Sequence, residues 1–336
     1  TLVGGVAGEK LTSGYLNTCV GYRAGEDMTT AQHNTLVGAY AGYITETGLK
    51  NTAIGYGALA KNVEGDKNVA VGYLALEDFV ADTDGHGNNV AVGNQAMLNA
   101  TTGTENTAIG ADAMGSGVNT SNANVAVGHN AGSAITSGGN NSLVGALAGD
   151  ALTEGDSNVA IGYQALTTQT KGDRNIAIGY FALGNQNNTT KDDIYNVAVG
   201  YNAGATISTG FRNTLIGGLS GDNINTGSYN VALGMQSLSS STGANKNTAI
   251  GTGALELFAG SGDTHNTAVG YVAGQLLSTG VQNTLIGGLA GDGITLGSKN
   301  VALGYAALSF PNAGSRSVAI GNGAVSYTHL RAHETM

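Results

Sequence analysis

Tryptophan is absent, proline and cysteine occur once each, and charged residues make up only 11% of the 336-residue chain. Each shortage excludes something. With almost no proline, and glycines that do not fall at every third position, the chain cannot be collagen. Too few charges argue against a solvated disordered chain, and too few aromatics against a large aromatic core. Lys plus Arg number 13 against 23 Asp plus Glu, a net charge of −10 that leaves no basic stripe for phosphates. Nucleic acid is therefore not an expected partner. The lone Cys19 has no intrachain disulfide partner, and it fills a slot otherwise held by Ala or Leu, so it reads as a small apolar packing residue. No apolar run is long enough to span a bilayer, and no charged-then-apolar leader opens the sequence. No membrane contact by this fragment is expected.

What the chain has is glycine, 56 residues of it, and a repeat. Asn-x-x-x-Gly recurs from Asn17 to Asn300, mostly every 17 residues. Longer gaps follow only Asn68 and Asn175 (21 residues each), Asn247 (19) and Asn106 (18), as expected if extra residues enter as loops. With the Asn as position 0, position 1 is Thr, Val, Ser or Ile, position 2 is Ala, Leu or Cys, position 3 is Val, Ile or Leu, and position 4 is always Gly. A short β-branched run ending at Gly reads as a strand stopped by a turn. A second Gly near position 14 marks another corner.

Two corners predict two short strands per coil, too little chain to bury a face unless each coil stacks on the next. The expected fold is all-β, a parallel β-solenoid (β-roll) of about 18 coils, and its 17 full copies would extend on the order of 80 Å at the inter-strand spacing. Stacking puts Asn51, Asn68, Asn106, Asn158, Asn213 and Asn283 in an amide ladder beside a column of Gly55, Gly72, Gly110, Gly162, Gly217 and Gly287. Residues 1–325 form the repeat domain, which opens in mid-copy. The tail from Ser326 to Met336 shares none of the pattern; it resembles translated adapter sequence and is expected to be artefactual and disordered.

Two internal regularities go further. Leu replaces Ala at position 2 in Leu36, Leu143, Leu215 and Leu285, and each of those copies has Gly at position 8, as does the copy before it. Elsewhere in the full copies position 8 is Leu or Met. A close-packed interior penalises voids and overfilling alike, so the leucine is expected to occupy space given up by two stacked position-8 side chains. Positions 2 and 3 point to opposite faces of a strand, yet neither is ever polar. Both faces should then be dry, one as the coil interior and the other covered by a second wall or, as favoured here, by other chains.

Ser317-Val-Ala-Ile-Gly-Asn-Gly-Ala324, and the many copies of Asn-Val-Ala-Val/Ile-Gly-Tyr-x-Ala-Leu, resemble the head repeats of trimeric autotransporter adhesins (YadA-like heads), which also recur in phage and prophage tail fibres. The resemblance spans residues 1 to 325. It implies a left-handed parallel β-roll, a homotrimer, extracellular display at a cell surface or on a virion tail fibre, and attachment to a host surface protein, matrix or glycan. The 17-residue period departs from the shorter adhesin head repeat, and no anchor or chaperone segment distinguishes adhesin from tail fibre.

Catalysis needs unlike groups placed once, whereas an array repeats one set many times, so the chain is not expected to be an enzyme and no catalytic or cofactor-binding residue is proposed. The histidines are scattered and read as surface or packing residues. Asp78, Asp82 and Asp84, in the loop inserted after Asn68, are a weak Ca²⁺ candidate, with a solvated acidic loop the plainer reading. The loop from Asn185 to Asp193 could hydrogen-bond sugars, with ordinary polar surface the plainer reading. Tyr at position 5, as in Tyr56, Tyr73, Tyr163, Tyr180 and Tyr201, forms either a shielding ladder or a contact strip for glycan or protein. Of other functional classes, an ice-binding solenoid would present rows of Thr, but position 1 mixes Thr18, Thr35, Thr52 and Thr107 with Val69, Val90 and Val125. A polysaccharide-cleaving spike would need paired carboxylates.

Overall fold

The computed structural model describes residues 1–81, 86–311 and 314–325. These residues contain no helix and build a parallel β-solenoid of about 18 coils with a repeat of about 17 residues. The chain divides into two compact units, Thr1–Arg174 with Thr189–Asp192, and Asn175–Asn188 with Asp193–Met336. The expected tail, residues 326–336, lies outside the described residues, as do Asp82 and Asp84.

In the first unit the strands are Leu2–Val3, Thr18–Val20, Thr35–Val37, Thr52–Ile54, Val69–Val71, Val90–Val92, Thr107–Ile109, Val125–Val127, Ser142–Val144 and Val159–Ile161. Each pairs in parallel with the next at matching repeat positions, as in Leu36 opposite Ala53 and Leu143 opposite Ala160. The second unit repeats the arrangement with Ile176–Ile178, Val197–Val199, Thr214–Ile216, Val231–Leu233, Thr248–Ile250, Thr267–Val269, Thr284–Ile286, Val301–Leu303 and Val318–Ile320. There Ala198, Leu215 and Ala232 lie in one row.

Only this strand is regular in every coil. The second short strand expected per coil is regular only where Gly243–Asn245 pairs with Ser261–Asp263. Elsewhere among the described residues single bridges mark its course, such as Gln32 with Leu49 and Ala100 with Asn119. The reason lies between the strand and that wall. Residues at positions 6 and 8 have left-handed φ whatever their side chain, as at Leu74 (52°), Leu76 (53°), Gln95 (53°) and Met97 (53°). Such a conformation costs a non-glycine residue roughly 1–2 kcal/mol. Hydrogen bonds between coils hold it: the Leu74 N–H donates to Tyr56 O in the coil before, and the Leu76 N–H to Ala96 O in the coil after, both at 2.9 Å. The backbone at positions 4 to 8 thus curls instead of extending, and less chain remains for a second strand.

Position 4 admits glycine alone. Its φ lies near +130° to +140°, and a Cβ added at Gly55 would sit 2.3 Å from Gly72 O of the following coil.

The core is thin and built from repeat positions 0, 2, 7, 8 and 11. The position-2 residues, among them Cys19, Leu36, Ala53, Leu143 and Leu215, are fully buried. The leucine exchange has a direct geometric basis: a Cβ added at Gly132 would lie 2.7 Å from Leu143 Cδ1, and one added at Gly149 would lie 2.9 Å from its Cδ2. Leu215 meets Gly204 (2.8 Å) and Gly221 (2.8 Å) in the same way, one methyl towards each of two glycines. Position 11 completes the exchange. Beside a position-8 glycine it is mostly a long apolar residue, Met28, Ile135, Leu152, Ile207, Ile224, Leu277 or Ile294; beside Leu or Met it is often polar or small, as in Asn62, Ala100, Gln169 and Ser241.

Candidate functional site

The buried asparagines form the ladder's central rail. The Asn51 N–H donates to Asn34 Oδ1 (2.8 Å) while its Nδ2 donates to Gly65 O of its own coil (2.8 Å); Asn68 donates to Asn51 Oδ1 through both N–H (2.9 Å) and Nδ2 (3.2 Å). Equivalent contacts recur at Asn106, Asn158, Asn213 and Asn283. All of these asparagines are buried. Beside them, Gly72, Gly110, Gly217 and Gly287 each face the next coil's position-4 glycine backbone within 2.6 Å of an added Cβ, and Gly162 shares their φ at +131°.

Three longer copies keep the direct backbone bond along the rail and add to it a side chain that sequence reasoning missed. Gln186 is fully buried between Asn175 and Asn196: its Nε2 donates to Asn175 Oδ1 (3.0 Å), and its Oε1 accepts from Asn196 Nδ2 (3.1 Å). Ser121 Oγ accepts from Asn124 Nδ2 (2.7 Å), and Thr264 Oγ1 donates to Asn247 Oδ1 (2.8 Å). A polar residue preceding the next motif Asn by two, three or ten residues is too irregular a signal to find without coordinates. These side chains join the buried amide network, so their chemistry is structural.

The opposite face of the strand is apolar and open. Position 3 keeps Ile54, Ile109, Val144, Ile161, Leu233 and Leu303 between 38% and 45% exposed. The coil's own second wall does not cover this row, which leaves the expectation of a dry second face unmet within one chain. At its margin stand the tyrosines. Tyr56 and Tyr73 stack with centroids 5.6 Å apart, Tyr180 and Tyr201 with centroids 5.4 Å apart, and Tyr163 is also exposed.

Asp78 forms an ion pair with Lys61 of the preceding coil. Among the described residues no group of three or more His, Cys, Asp or Glu side chains is arranged to hold a metal ion. In the Asn185 to Asp193 loop, Gln186 turns inward, Lys191 pairs with Asp156 (2.7 Å), and Asn187 is exposed. His33 packs edge-on to Tyr15. Burial pushes the Cys19 thiol up to about 11, which keeps it protonated and unreactive at neutral pH. No helix among the described residues is long and apolar enough to cross a membrane.

No family model matches the chain, and comparison with curated proteins finds no match either. Geometry alone therefore carries the functional reading.

Proposed function

We propose that the chain is a structural and adhesive segment of an extracellular homotrimeric fibre, in which three copies pack their exposed strand faces together and display the remaining surface for attachment. It acts by repetition and reach, without catalysis. The observation that supports this most is the position-3 row. A buried interior and a second aliphatic face on every three-residue strand are what a parallel sheet needs when both sides are to be covered. Contiguous apolar surface of this kind marks an interaction site. The same architecture serves a bacterial adhesin or the shaft and receptor-binding part of a phage tail fibre.

Analytical ultracentrifugation of the purified chain tests the assembly. A trimer at micromolar concentration is expected, and Ile161→Lys combined with Ile109→Lys should yield monomers whose circular dichroism remains that of a β-solenoid. A wild-type monomer at that concentration would overturn the reading. Freezing assays address the ice-binding class: clear thermal hysteresis would replace the adhesive assignment.

A further inference from the structure

We infer that the corner around Gly57 is a binding site for an uncharged hexopyranose. Gly57 interrupts the row of position-6 side chains between Tyr40 in the coil before and Leu74 in the coil after. The Leu74 side chain leans into that space, its Cδ2 2.6 Å from where a Gly57 Cβ would stand, and beside it lies a cavity of about 380 Å³ lined by Tyr40, Tyr43, Tyr56, Lys61, Leu74 and Glu77. This volume falls within the range of small-ligand sites, and its apolar walls with a few polar groups match their usual composition.

The aromatic rings are set at an angle that suits a sugar. Tyr40 meets Tyr56 edge to face (5.7 Å, 64°) and Tyr43 likewise (5.6 Å, 80°), so the rings form a corner, not a flat strip. A pyranose presents an apolar C–H face, which suits the electron-rich face of one ring, while its hydroxyls reach polar tips at the rim. Arg23 fixes part of this wall in advance. Its guanidinium lies 5.9 Å from the Tyr40 ring centre and 5.8 Å from that of Tyr43, and its Nη1 donates to the Tyr43 hydroxyl at 3.4 Å. A wall ordered before binding loses less entropy when the ligand arrives. Charge selects against anions: Lys61 is engaged by Asp78, Glu77 stands beside it, and the chain carries a net −10.

Tyr22 also meets Tyr40 edge to face (5.6 Å, 83°), which extends the aromatic wall one coil further, whereas the stacked tyrosines of the second unit differ. Tyr180 and Tyr201 occupy the same repeat position as Tyr56 and stack nearly parallel at 18°, with Phe181 and Asn202 filling their position 6. The corner is made from positions 5 to 10, beyond the end of the strand, and does not draw on the outer aliphatic row.

This inference rests on the adhesive half of the proposed function, and its failure would leave the trimer measurement untouched. The test is saturation-transfer difference NMR on the full chain with the methyl glycosides of glucose, galactose and N-acetylglucosamine, and with sialic acid as an anionic probe. A neutral glycoside should bind at about 1 mM, the scale of a single ring with few contacts. Tyr56→Ser should weaken binding at least tenfold, and Tyr201→Ser, a matched loss of one stacked tyrosine, should leave it unchanged. Saturation of none of the neutral glycosides, equal weakening by both variants, or a preference for sialic acid would each overturn the assignment.

Discussion

The coil that begins at Asn141 and the coil that begins at Asn158 have the same backbone and pair residue for residue, yet they fill their interiors differently. The first uses Leu143, Gly149 and Leu152; the second uses Ala160, Leu166 and Gln169. Volume moves between positions 2, 8 and 11 while the hydrogen-bonded frame stays constant. The contents of a layer and its neighbour are therefore set together, and no single position accounts for the packing alone.

The harshest way to break the equivalence is to place charge in either interior. Leu215→Asp should remove at least 4 kcal/mol from its unit, because the carboxylate would lie fully buried with no partner, whereas the exposed Asn187→Ala should change stability by less than about 0.5 kcal/mol. Comparable losses of melting temperature in the two variants would show that Leu215 is not interior.

A subtler cycle sharpens the comparison. Leu143→Ala should cost about 2–5 kcal/mol through the void it leaves. Gly149→Ala should be costly beside Leu143, whose Cδ2 lies 2.9 Å from the added methyl, and milder in the Leu143→Ala background. The left-handed backbone at Gly149 is common to both backgrounds and cancels, so a coupling of about 1–3 kcal/mol in denaturant melts measures the exchange itself. Additive effects would mean that the two sites do not share space.

The smallest effect concerns pH. Burial pushes the Asp222 carboxyl up, against hydrogen bonds from Ser239 and the backbone. A carboxyl raised on folding is bound to its proton more tightly in the native chain, so stability falls as pH rises through the native value and is recovered on acidification towards the unfolded one. Asp222→Asn should raise the melting temperature at neutral pH, and the advantage should shrink near pH 4, about where carboxylates ordinarily titrate. An advantage that grew on acidification would contradict the burial.

Much of this was legible beforehand because stacking turns a linear pattern into columns. The period, the strand at positions 1 to 3, the asparagine rail and the leucine for glycine exchange each leave a recurrent residue. What escaped notice leaves none. Left-handed φ at position 6 occurs in Leu74, Gln95, Asp112 and Phe181 alike, since hydrogen bonds from adjacent coils impose it and the side chain has no say. That curl is also why one regular strand, not two, appears per coil. Ser121 and Thr264 join the rail from inserted segments of unequal length, and Gln186 joins it from position 11, which elsewhere holds apolar, small and polar residues alike, so no fixed spacing announces them. The Tyr40, Tyr43 and Tyr56 corner needs tyrosines at positions 6 and 9 of one coil beside one at position 5 of the next, a combination that no single column reports.

All four longer copies keep the hydrogen bond from the position-10 N–H to the position-9 carbonyl of the next coil, at Asp78, Ser116, Asn185 and Leu257, and take up their extra residues beyond it. Length is therefore free along one margin of the coil and fixed along the rest. Foreign peptides grafted after position 10 would be carried outward at regular intervals with the register undisturbed, which makes this margin the natural place for such a lineage to acquire new specificities and for an engineer to hang epitopes in a defined order.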